Sequence, residues 1–180
     1  MTIASNHSWL GGGRWNVLLR PALVVLIVVA VLAVGGLASA DGGEPFSGPF
    51  TAVAVRPPQC TSPVGLCTHG TLYDQTGRVV AFYDFTMDSL QPDGNGSEFS
   101  FTGHSVITKA VAPNGVMFGH DHGVLTPNGL RPWPFTTIVE IIEGTESYER
   151  AHGTITATGG LDPTTGGTQG TYSGAIERSP

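Results

Sequence analysis

From residue 50 onward the apolar positions gather in short β-branched and aromatic runs: 50–56, 69–74, 78–90, 97–110, 115–126, 135–143, 148–160 and 168–177. No window places apolar residues at i, i+3, i+4 and i+7 free of Gly or β-branched stretches, so the pattern predicts no helix. Turn signals separate the runs: Asp74 to Gly77, Pro92 to Gly96, Pro113-Asn114-Gly115, Asn128-Gly129, and the stretch around Gly166-Gly167. Asp-Gly and Asn-Gly pairs supply the positive φ that tight hairpins need, and hairpins join antiparallel neighbours. Eight antiparallel strands over about 130 residues predict an all-β, up-and-down barrel, since closure removes exposed edges. A two-sheet sandwich is the alternative. The barrel domain is expected over 50–178.

The two faces of these runs are only partly different. Tyr83, Phe85 and Met87 share one face of the third run, and Phe82, Asp84, Thr86 and Asp88 the other. In the fourth, Phe99, Phe101 and Ile107 oppose Ser100, Thr102 and His104. Apolar groups on both faces imply cover on both sides, from the interior and from another subunit.

Composition adds a compartment. Arg14 and Arg20 are the only charges in the first forty residues, and Ala22 to Val34 is an unbroken apolar run. Ala38-Ser39-Ala40 then supplies a small-x-small triplet. A positive start, an apolar stretch and such a triplet predict a secretory signal peptide over 1–40, with an uncleaved anchor as the alternative. Residues 41–49, rich in Gly and Pro, are expected to be a surface linker. Without the leader, six Lys and Arg stand against fourteen Asp and Glu. That balance speaks against nucleic acid and anionic lipid as partners and suits an extracytoplasmic domain. Cys60 and Cys67 are the only cysteines, and in an oxidising compartment they predict one disulfide.

Candidate chemistry centres on Gly119-His120-Asp121-His122-Gly123. In a strand the two imidazoles share one face and Asp121 takes the other. His104 can join them across a hairpin turning at Asn114-Gly115. Three imidazoles can bind Zn or Cu, but no carboxylate is fixed beside them by spacing, and polar strand residues outweigh a metal site. The bulk of Val116, Phe118 and Val124 predicts the histidine face inside, with Asp121 outside; the opposite arrangement puts Asp121 inside among Met117, Gly119, Gly123 and Leu125. Asp84 and Asp88 share a face but stand about 13 Å apart, too far to share a proton. Glu140, in an apolar run, is either an outward group or a pocket group, within reach of Arg150. No nucleophile elbow, P-loop, dinucleotide fingerprint or zincin helix is present. Asn95-Gly96-Ser97 is a sequon by composition and is read as a turn.

The segment Pro134 to Ile155 reads as strand, Gly-containing tight turn, aromatic, Ala-x-Gly, strand. It resembles a hairpin of the allene oxide cyclase and dirigent proteins, with Gly144, Tyr148, Ala151 and Gly153 on the pattern. The turn departs from the family's Gly-Gly or Gly-Thr-Gly, reading Gly144-Thr-Glu-Ser147. The resemblance implies an eight-stranded barrel, frequently a homotrimer, with a pocket for an apolar ligand and no metal or organic cofactor. No catalytic residue of the family carries over.

Two function classes follow. One is a secreted barrel that binds a small apolar molecule and acts as a cofactor-free cyclase or isomerase, with His104, His120, His122, Asp84 and Glu140 as the ligand-binding candidates. The other is a non-catalytic extracellular domain used for structure or contact. A pocket lined by the histidines favours the first; an interior packed solid removes it.

Overall fold

The computed structural model describes residues 43–178 except Leu130. The predicted leader and the first two residues of the predicted linker lie outside the described residues. Eight strands follow one another: β1 Glu44–Val55, β2 Cys67–Tyr73, β3 Val79–Pro92, β4 Phe99–Lys109, β5 Gly115–Leu125, β6 Trp133–Glu146, β7 Ala151–Leu161 and β8 Thr168–Arg178. Each pairs antiparallel with the next, and β8 returns to β1, closing the barrel. The all-β, up-and-down barrel expected from the turn spacing is borne out, and the sandwich is not.

The hairpin turns do what their residues predict. Asp74 receives the backbone N–H groups of Thr76 and Arg78 at 2.8 and 3.0 Å, while Gly77 takes φ +83°. The Thr76 hydroxyl, which donates at 2.6 Å, and then these backbone bonds favour the carboxylate and hold Asp74 well below the usual acid range. Asn95 accepts from the Ser97 backbone N–H at 3.0 Å within the 93–98 turn, as the turn reading of that segment predicts.

One boundary is corrected. Residues 44–49 are not a linker but the first half of β1, paired with β8 from Glu44 opposite Ile176. The pairing of β1 with β2 begins only at Phe50. The first half of β1 therefore has a ladder on one side alone. Pro45 and Pro49 are tolerated in such an edge half, where a missing N–H removes nothing from a second ladder.

Alternation sets the core. Ala81, Met117, Ile141, Tyr148, Ile155 and Tyr172 are buried on the inner face. Tyr148 belongs to the 147–150 turn between β6 and β7, where the sequence pattern had placed the start of a strand. The turn folds inward: a side chain at Gly144 would strike the Tyr148 carbonyl, and one at Gly115 would strike its ring. These two glycines leave the room in which Tyr148 plugs one end of the barrel. The other end holds a second apolar cluster of Met87, Phe101, Leu125 and Leu161. The outer face is mixed, with Val53, Phe82 and Ile142 exposed among the charges.

The Cys60–Cys67 disulfide is present, and it shapes this second end. The Ser62 hydroxyl donates to the Met87 carbonyl at 2.5 Å, and the Met87 N–H donates to the Leu66 carbonyl at 3.0 Å. The loop docks where the β3–β4 register shifts between Met87 and Ser89. Reducing the disulfide is expected to cost roughly 2–3 kcal/mol in the chain-entropy account of so short a loop. Urea unfolding with and without reductant measures this; equal midpoints would show that the loop is held by its hydrogen bonds alone.

Candidate functional site

The barrel interior is not packed solid. It encloses a cavity of about 100 Å³ to which all eight strands contribute. One water needs roughly 10–15 Å³ on such a measure, so the space admits a small organic molecule. Met117, Ile141, Tyr148 and Ile176 are buried at the plugged end but do not line the cavity. Leu66, Met87, Phe101, Leu125 and Leu161 do line it, so it reaches toward the end that carries the disulfide loop.

The wall is made of apolar and aromatic side chains. Phe50 meets Tyr83 edge-on at 6.0 Å and Phe135 at 6.3 Å, and Phe85 meets Phe101 edge-on at 6.1 Å. Several of these rings lie over glycines on the neighbouring strand. Tyr83 pairs with Gly70 and Phe101 with Gly123, and a side chain at either glycine would collide with the ring. Glycine here lets an aromatic ring from the next strand lie flat against the wall.

Into this surface projects one carboxyl. Asp121 is only 3% exposed, and its Oδ2 has no hydrogen-bond partner. Burial pushes its pKa up to about 7, opposed by the Ser105 hydroxyl and by His104 through the wall, and assisted by Asp88. The remaining polar groups are hydroxyls. That of Thr137 donates to the His122 carbonyl at 3.2 Å, and that of Tyr172 to the Tyr73 carbonyl at 2.9 Å. The Tyr83 phenol, pushed up to about 12 by burial, lies near Thr68 and Thr168. The Thr168 hydroxyl oxygen makes no bond of good geometry.

The residues singled out from sequence lie elsewhere. His120 and His122 are exposed on the outer face of β5, which corrects their expected inward orientation. His104 is also outside, with Nδ1 3.0 Å from Asp88. Asp84 is outside and 2.7 Å from Nδ1 of His69. Glu140 is exposed on β6, opposite His120 across the ladder. Among the described residues no three His, Cys, Asp or Glu side chains converge as metal ligands would.

The physical reason lies in the glycines. The inner face of β5 reads Gly115, Met117, Gly119, Asp121, Gly123, Leu125, and its bulk comes from neighbouring strands. Val139 covers Gly119 and Phe101 covers Gly123. Comparing the apolar bulk of the two faces of one strand therefore points the wrong way. The usable signal is the alternate glycines flanking an acid, which mark a face that others fill.

Fold and cavity together define a closed eight-stranded barrel with a largely apolar chamber and a single internal acid. No family model and no curated protein matches the chain. Among solved structures it is similar to a pterocarpan synthase dirigent protein, at 13% identity over 74% of this chain and 88% of that one, with a TM-score of 0.48. At that identity no residue's role passes from one protein to the other.

Proposed function

We propose that the chain is an exported barrel that binds a small apolar molecule in its chamber, with Asp121 as the one polar anchor. The observation that carries this reading is the cavity itself: apolar and aromatic on nearly every side, with one buried carboxyl that has an unpartnered oxygen. A binding pocket combines these features, a concave apolar surface and a few placed polar groups. Export is supported by the leader pattern and the disulfide.

Asp121 also gives the chamber a chemistry. With a pKa near 7, both of its forms are present at neutral pH. It can protonate an oxygen of a bound molecule or take a proton from it, as a cofactor-free cyclisation or isomerisation requires. A purely structural or contact role is favoured by a different observation, the exposed Val53, Phe82 and Ile142 on the outer face.

Fluorescence titration with naphthalene tests the reading. One molecule per chain is expected to bind, and Ala157→Phe, which fills the chamber from β7, is expected to abolish binding while circular dichroism stays that of a β protein. Undiminished binding in the filled variant places the hydrocarbon outside the chamber and overturns the proposal.

A further inference from the structure

The chamber constrains the charge of what it holds. Among the described residues, no Lys, Arg, His, Asn, Gln or Trp lines it. It therefore has no N–H donor and no positive group on its walls. An anionic ligand would meet the Asp121 carboxyl without a counter-charge, so carboxylates and phosphates are excluded.

The unmet need beside the acid is that of an acceptor. Asp121 Oδ2 is buried without a partner and, when ionised, can only accept; Thr168 Oγ1, also without a partner, can accept or donate. Two of the hydroxyls that could otherwise donate, Thr137 and Tyr172, already donate to backbone carbonyls. Six aromatic residues, Phe50, Tyr83, Phe85, Phe101, Phe135 and Tyr172, line the same space. The faces of such rings are negative and attract cations.

Resting on the binding role given above, we propose that the chamber takes a hydrophobic amine, bound as its ammonium, with N–H directed at Asp121 and the apolar body among the rings. The ammonium supplies a donor to the unpartnered Oδ2 and the counter-charge that the buried carboxyl lacks. A neutral ligand with an acceptor oxygen needs the opposite state, a protonated Asp121.

The two ligand classes therefore differ in the sign of their pH dependence. The groups around Asp121 allow that sign to be read. Tyr83 on β3 and Tyr172 on β8 stay neutral near pH 7, since burial raises both phenols. From β4 the inward neighbour is the Ser105 hydroxyl, and β6 presents Thr137 and Val139. His104 and Asp88 act only through the wall, and His120, His122 and Glu140 lie outside. An ammonium ligand needs ionised Asp121 and binds more tightly as pH rises through 7, by about tenfold from pH 6 to pH 8 for a carboxyl titrating near 7. A neutral acceptor ligand weakens over the same interval.

Calorimetric titration with 2-naphthylmethylamine and 2-(methoxymethyl)naphthalene, whose ether oxygen only accepts, at pH 6 and pH 8, separates them. The amine is expected to bind more tightly than the ether at pH 8 and to lose about tenfold at pH 6. Asp121→Asn and Asp121→Ser are both expected to remove the preference for the amine and its pH dependence. An ether that binds as tightly as the amine at pH 8, or an amine whose affinity ignores pH in the unsubstituted protein, overturns the proposal. If naphthalene binds and the amine does not, the amine proposal falls and the apolar chamber stands. If none of the three binds, both readings fall.

Discussion

Replacing Asp121 by Asn is expected to stabilise the barrel at pH 8 by about 3 kcal/mol and to flatten its stability between pH 4 and pH 8. The carboxyl titrates near 3.8 in the unfolded chain and near 7 in the folded one, because burial disfavours its charge. Between those values the folded state binds more protons than the unfolded state, so stability falls as pH rises, and the loss is complete above about pH 8. A shift of about three pKa units corresponds to roughly 4 kcal/mol, and the asparagine keeps part of the penalty as an unpaired amide. The half-buried turn acids Asp74, Asp93 and Asp162 have lowered pKa values and act in the opposite sense. Their stabilisation is present above the unfolded value and is lost as pH falls below about 4. His69, His104 and His152 face carboxylates and can also couple stability to pH in this interval, so the difference between the native protein and Asp121→Asn is what isolates Asp121. Urea unfolding of both proteins at pH 5 and pH 8 measures the effect. A stability difference between the two proteins that is the same at pH 5 and pH 8 would show that the carboxyl is not a desolvated acid. A group that destabilises its own barrel at neutral pH is more readily understood as serving a bound molecule than as packing.

The architecture was legible because turn chemistry is local. Asp74 to Gly77 and Asp93 to Gly96 carry the residues that positive φ and side-chain-capped turns require, and a strand lies on each side of them. The disulfide was legible for the same reason, since only one pairing exists. The first half of β1 was not, because Pro and Gly ordinarily signal a loop. Only closure with β8, a contact between the two ends of the barrel domain, shows that Pro45 and Pro49 lie on a half-paired edge. The site was half legible. The segment 119–123 was singled out, and the period of two reduced it to two exclusive orientations. Choosing between them needed the neighbours. Val139 and Phe101 supply from β6 and β4 the bulk that β5 omits at Gly119 and Gly123, and nothing within β5 records that. The pattern of β5 thus offers Asp121 as one of its two possible interior groups, and only the bulk from β4 and β6 selects it over the histidines.

The plug at the opposite end gives the second large effect. Tyr148→Ala is expected to destabilise the barrel by about 3–5 kcal/mol, the range for removing a large buried aromatic side chain. The side chain is 7% exposed and closes the end away from the disulfide loop, packed in the cluster that contains Met117, Ile141 and Ile176. Lys109 and Arg178 each approach its ring at 5.7 Å, so the substitution also removes two cation–π contacts. The surroundings cannot collapse into the space. Gly115 and Gly144 have no side chains to move, and the turn is pinned by the Ser147 N–H to the Asn114 carbonyl at 3.0 Å and the Ala151 N–H to the Tyr148 carbonyl at 2.8 Å. A void that cannot close keeps its full cost. Tyr148→Phe, which retains the ring, is expected to stay within about 1 kcal/mol of the unsubstituted protein, since it removes one hydroxyl and leaves the packing in place. Chemical denaturation of the two variants decides the matter. Equal losses in both would assign the stabilisation to the phenol hydroxyl. A loss under 1 kcal/mol in Tyr148→Ala would mean that the barrel closes this end without its plug. Because Tyr148 does not line the chamber, the affinity of Tyr148→Phe for naphthalene is expected to match that of the unsubstituted protein, which separates the plug from the pocket.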